Sequence, residues 1–153
     1  MSVIALGLNH ATAPVDLRGR FAFPCDRLSP ALQAFRSRLQ QACEVAIVST
    51  CNRTELYVGA EGGNPDQLSS HALGWLAETG GMQTQALQPH AYVLEGAGAA
   101  RHTFRLASGL SSMVVGETQI LGQLKLAVRE ADTAGTLGTT LHQLFQRSFA
   151  VAK

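Results

Sequence analysis

The segment Ser49-Thr50-Cys51-Asn52-Arg53-Thr54-Glu55 sets a thiol, a guanidinium and a carboxylate at alternate positions, just after the apolar run Val45-Ala46-Ile47-Val48. A thiolate is a strong nucleophile at neutral pH, and a neighbouring cation together with the N–H groups of a turn favours it over the thiol. Arg53 offers a planar fork for a carboxylate, and Glu55 can hold that fork in place. If the strand continues through the segment, all three side chains project to one side. Bland readings stand beside these. Cys51 can be a small buried hydrophobe at a strand end. Arg53 and Glu55 can be a solvated ion pair of little energetic weight.

Other residues offer less. His102 lies between Arg101 and Arg105 near a helix start, where it can give or take a proton near neutral pH, or merely be a satisfied helix residue. His10 is in the same position; His71, His90 and His142 have no companions. Cys25 and Cys43 read as structural. The stretch from Ser108 to Gln119 is rich in serine and glycine and holds Glu117 and Gln119 ahead of a helix, a favourable place for a polar ligand. Helix capping by Glu117 accounts for part of it. Gly96-Ala97-Gly98-Ala99-Ala100-Arg101 nearly matches a dinucleotide-binding turn, but Arg101 stands where the third glycine is needed for close helix–strand packing. No phosphate loop or metal-ligand cluster is evident, so no metal is expected.

The elements that must position these groups fit a chain of 153 residues, 46% hydrophobic and 15% charged, enough for one domain or a domain with a small subdomain. The net charge of +1 excludes a strongly cationic coat, yet ten of the twelve basic residues are arginine, the residue suited to planar contacts with carboxylate or phosphate. Three cysteines without C-x-x-C spacing argue for reduced thiols rather than a disulfide framework. No apolar run approaches the roughly 18 residues of a membrane span. A soluble, cytoplasmic protein without a leader is expected.

Strands are expected at Val3–Leu8, Val45–Val48, Leu56–Val58 and Ala91–Leu94, each a short apolar run bounded by breakers. Helices are expected over Leu28–Gln40, with Asp26 as N-cap, and over Leu68–Glu78, ended by Gly80-Gly81. Gly59 to Pro65 reads as a loop. The order gives a ferredoxin-like βαββαβ unit over residues 1–95, an α+β four-stranded antiparallel sheet with helices on one face. Residues 96–153 read as a helical subdomain, with helices near Ala99–Leu110, Glu117–Thr133 and Thr139 onward. The last helix meets no stop signal before Lys153, which reads as a chain cut within a longer helix.

Four stretches together resemble the glutamyl-tRNA reductases. They are Gly7-Leu8-Asn9-His10-Ala11-Thr12-Ala13-Pro14, Ser49 to Tyr57, Ala107 to Gly122, and Leu144 to Lys153. The strings S-T-C-N-R-T-E-L-Y and G-E-x-Q-I-L-G-Q are long and specific. The resemblance implies that Cys51 attacks the ester joining glutamate to tRNA, and that the resulting thioester is reduced by NADPH to glutamate-1-semialdehyde, the opening step of five-carbon tetrapyrrole (haem) synthesis. It implies that Arg53 recognises the glutamyl carboxylate, helped by Thr50, Asn52 and Glu55. It casts His102 as a proton donor, and Ser112, Glu117 and Gln119 as residues closing the pocket. Ser111 stands where the family usually has an aspartate. The family continues along a spinal helix into an NADPH-binding domain and a dimerisation domain, both absent from this sequence. The whole protein is therefore expected to be a homodimer that passes product to glutamate-1-semialdehyde aminotransferase, and this fragment a monomer limited to thioester formation. A rival from another class is a non-catalytic tRNA- or RNA-binding module, for which Tyr57 and Tyr92 are the strand aromatics available for stacking. A second rival is a regulatory domain whose cysteine is merely buried.

Overall fold

The computed structural model describes residues 2–39, 43–109 and 119–152. Four strands form one antiparallel sheet: β1 (Ser2–Asn9), β2 (Cys43–Ser49), β3 (Arg53–Ala60) and β4 (Tyr92–Glu95), in spatial order β2-β3-β1-β4. This is the order expected of the split βαββαβ pattern. Between β1 and β2 lie a short helix α1 (Val15–Arg20) and the longer α2 (Cys25–Arg38). Between β3 and β4 lie α3 (Pro65–Thr79), a single turn α4 (Thr84–Leu87) and a 3-10 turn. Helices α5 (Ala97–Ala107), α6 (Ile120–Thr133) and α7 (Thr139–Val151) follow.

Strand alternation sorts β3 onto two faces. Arg53, Glu55, Tyr57 and Gly59 face α5–α7, since Tyr57 packs edge-on against Phe145 and Gly59 approaches Leu141. Thr54 faces the other layer and donates to the Phe21 carbonyl. The sheet is thus covered on both sides, and β3 is buried along its whole length. Helices α2 and α3 pack together through an aromatic stack in which Phe23 and Phe35 each lie against Trp75, with centroids 5.7 and 4.7 Å away.

Local chemistry moves several expected boundaries. The sheet reaches Ala60, so Gly59 is strand rather than loop. Asp26 is not the N-cap of α2: Pro24, with φ of −59°, starts the helix at Cys25 and leaves Asp26 in its first turn. Asn64 does cap α3, its side chain accepting from the N–H groups of Asp66 and Gln67. Helix α1 gives no apolar signal because it buries no residue. At the far end of the sheet Glu44 reaches from β2 to the start of α7, accepting from Leu141 N–H at 2.8 Å and Thr140 N–H at 3.2 Å. Gly138, which precedes α7, leaves the space that carboxylate fills.

Candidate functional site

The β2–β3 hairpin carries the site. Ser49 and Thr54 are its last paired residues, and Thr50 N–H donates to the Arg53 carbonyl at 2.8 Å, so the turn proper is Cys51-Asn52. The Thr50 hydroxyl oxygen accepts from the N–H groups of Asn52 (3.1 Å) and Arg53 (3.2 Å). Those N–H groups therefore shape the turn rather than solvate the sulfur. Cys51 itself is exposed and free of any disulfide. It lies outside the strand, so it does not share the alternation of Arg53 and Glu55. The turn presents a thiol.

Directly behind the turn lies a polar cluster centred on Glu55, which is fully buried. Its carboxylate accepts from the Tyr57 hydroxyl (2.6 Å), the Tyr92 hydroxyl and Nε2 of His102 (2.6 Å), and lies 3.5 Å from Nη1 of Arg53. Arg53 is 1% exposed, whereas the His102 side chain retains 15%. The imidazole, like the partly buried Tyr92, thus lies at the edge of the cluster toward solvent. Burial alone would push the Glu55 carboxyl up. The His102 hydrogen bond and charge, Arg53 and the Tyr57 hydroxyl outweigh it and hold the group at about 2. Tyr57 and Tyr92 are pushed up by burial and then by Glu55, so both stay protonated and donate.

An ionised carboxylate only accepts hydrogen bonds, so the His102 nitrogen facing it carries a proton. That fixes the Nε2–H tautomer and leaves Nδ1 as the atom able to take or give a proton.

Strand register explains how one carboxylate reaches so many donors. Gly7 of β1 is paired with Glu55 on one side and with Tyr92 on the other. A Cβ at Gly7 would stand 2.5 Å from the Thr54 carbonyl oxygen and 2.9 Å from Cγ of Glu55. The missing side chain is the gap through which Glu55 crosses β1. One row beyond, Asn9 pairs with Arg53, and the Asn9-His10-Ala11-Thr12 turn closes on itself through hydrogen bonds between Asn9 and Thr12.

The family model for the N-terminal domain of glutamyl-tRNA(Glu) reductase matches residues 6–153. The chain belongs to that family. Glutamyl-tRNA reductases of Albidiferax ferrireducens and a Polaromonas species are each 59% identical over all 153 residues, and that of an Acidovorax species is 58% identical. The chain spans about a third of these relatives, 36% of the first. The solved glutamyl-tRNA reductase of Methanopyrus kandleri superposes with a TM-score of 0.73 at 28% identity, over 97% of this chain and 32% of that one.

Against this glutamyl-tRNA reductase fold, the expected site residues divide. Thr50, Cys51, Asn52, Arg53, Glu55 and His102 come together at one end of the sheet, with Asn52 buried beneath the turn. Gln119 is exposed and immediately precedes α6. Ser112 and Glu117, with Ser111, lie outside the described residues. Sequence reasoning missed Gly7 and both tyrosines as members of the site; the signal available was the polar alternation Arg53-x-Glu55-x-Tyr57 on one strand face. Tyr57 is fully buried with its hydroxyl on Glu55, so its ring offers no open platform for RNA stacking. Cys43 is buried, Cys25 is exposed with Sγ 3.9 Å from Glu130, and Nδ1 of His90 meets the Thr12 carbonyl. Among the described residues no group of three His, Cys, Asp or Glu side chains could hold a metal ion, and no helix is long and apolar enough to cross a membrane.

Proposed function

We propose that this chain performs the covalent opening step of glutamyl-tRNA reduction. The observation that carries the reading is an exposed thiol on a turn whose next strand residues, Arg53 and Glu55, belong to a buried cluster ending in a partly exposed histidine. The Cys51 thiolate attacks the acyl carbon of the ester. A carbon–sulfur bond forms, the bond to the ribose oxygen breaks, and that oxygen takes a proton from Nδ1 of the His102 imidazolium, leaving neutral Nε2–H histidine, a glutamyl thioester and free tRNA. A thioester accepts hydride more readily than an oxygen ester, which is what this step prepares.

Arg53 is assigned to the glutamyl side-chain carboxylate, a role that requires its guanidinium, 1% exposed, to be uncovered on binding, and Thr50 and Asn52 hold the turn that joins Cys51 to Arg53. Glu55 is a positioning residue in this scheme. Fully buried, it orients Arg53 and sets the His102 tautomer without meeting substrate. Ser112, Glu117 and Gln119 are assigned to closing the pocket.

NADPH supplies the hydride in the family reaction. The described residues do not fit a dinucleotide site. Gly96 turns from an antiparallel edge strand into α5, and Arg101 occupies the place of the third glycine. No hydride step is therefore routed through this chain. Mixed with glutamyl-tRNA and NADPH, it releases tRNA and gains a glutamyl mass on Cys51, or frees glutamate by hydrolysis, without semialdehyde. Intact-mass and peptide mapping check this. A glutamyl adduct that persists in Cys51→Ser overturns the assignment, because a serine hydroxyl at neutral pH is a far weaker nucleophile.

A further inference from the structure

On the opposite face of the sheet from Glu55, the link between α1 and α2 forms one wall of an open groove of about 450 Å³, within the roughly 300–1,000 Å³ range of small-molecule sites. Arg20, Phe23, Arg27, Pro30 and Thr79 line it. Its described lining carries two guanidinium groups and no carboxylate. Arg20 is partly occupied, donating to the Gly80 carbonyl at 2.7 and 3.1 Å. Arg27 is exposed and, among the described residues, its side chain makes no hydrogen bond or ion pair. Phe23 is half-buried. One face of its ring lies against Trp75 at an interplanar angle of 4°, and the ring also lines the groove.

The groove is tied to the nucleophile at two points. Phe23 N–H donates to the Ser49 hydroxyl at 2.8 Å, and the Thr54 hydroxyl donates to the Phe21 carbonyl at 3.0 Å. These partners are the last paired residues of the hairpin that carries Cys51. Cys51 is two residues from Ser49, so no more than ~7 Å of chain separates them. A flat aromatic surface and the Arg27 guanidinium, unpaired among the described residues, tied by two hydrogen bonds to the hairpin that carries the nucleophile, form a combination suited to single-stranded nucleic acid, in which bases stack and phosphates pair with arginine.

We infer that this groove binds the 3′-terminal nucleotide of the RNA, with the base against Phe23 and a phosphate at Arg27. The ester then straddles the end of the sheet, its aminoacyl side toward Arg53 and His102 and its nucleotide side toward α1 and α2. The inference rests on the proposed reading that the substrate is an aminoacyl-RNA.

The test measures Cys51 adduct formation against glutamyl-tRNA concentration. Arg27→Glu should raise the half-saturating concentration about ten-fold at low salt, leave the saturating rate unchanged, and lose its effect as salt is added. Phe23→Leu should raise it roughly five-fold or more, in line with the loss of one base–aromatic stack. Unchanged half-saturation in Arg27→Glu overturns the groove, and because that residue is exposed the result stands even if Phe23→Leu folds poorly. If the unaltered chain forms no adduct, the covalent reading fails on its own. The groove is then judged by fluorescence anisotropy with acceptor-stem hairpins carrying or lacking the terminal adenosine. Tighter binding of the complete strand that Arg27→Glu removes supports it; equal affinity overturns it.

Discussion

Glu44 and Glu55 are carboxylates of neighbouring strands on the same face of one sheet, yet they work at opposite ends and to different purposes. Glu44 takes two backbone N–H groups at the start of α7, with Gly138 leaving it room. Its partners are the orphan donors any helix start presents, so the arrangement explains itself as a cap supplied from outside the helix. Glu55, itself fully buried, gathers an arginine, two phenols and an imidazole, with Gly7 leaving it room. Once buried, the Tyr57 hydroxyl and the Arg53 guanidinium need an acceptor and a counter-charge, so Glu55 also serves the interior it sits in. The contrast separates a carboxylate that caps a helix from one that neutralises a buried polar cluster, for which a positioning role is proposed.

Removing Glu55 should therefore give the largest loss. Glu55→Gln takes the charge from a buried pair and is expected to cost roughly 3–5 kcal/mol in urea unfolding, with adduct formation slowed as well. A variant as stable as the parent would break the contrast. Gly7→Ala should follow, at roughly 1–3 kcal/mol, since the new methyl forces Glu55 and the Thr54 backbone to shift. It should also slow the adduct rate, measured by quenched mass spectrometry. Glu44→Gln weakens only a cap, at about 1 kcal/mol, and should leave the adduct rate alone. A slowed rate there would blur the two ends into one unit.

Acid sharpens the same comparison. Glu55 titrates at about 2 in the fold against an ordinary value of 4.5. Its contribution is complete above about pH 4.5 and is lost as pH falls toward 2, a span worth roughly 3 kcal/mol. Urea midpoints taken between pH 5 and 2.5 should fall steeply in the parent and less steeply in Glu55→Gln.

Much of this was legible in the residues. The runs Val45–Val48 and Leu56–Val58 are apolar because they are buried on both faces, and they declared the strands. Cys51, Arg53 and His102 were visible as chemistry. The beginning of β3 was not, because Arg53-Thr54-Glu55 is as polar as a loop and becomes strand only where tertiary partners neutralise it. The roles of Tyr57, Tyr92 and Gly7 depend on the pairing of Gly7 with both Glu55 and Tyr92, a cross-strand register no local pattern encodes. The Thr50 hydroxyl likewise took the turn N–H groups that sequence reasoning had given to the sulfur.

The aromatic stack has an optical consequence. The chain holds a single tryptophan, and Trp75 stacks against the rings of Phe23 and Phe35. Its emission comes from one known place beneath the α1–α2 link. The protein thus carries its own unlabelled dye, able to report in real time whatever disturbs Phe23.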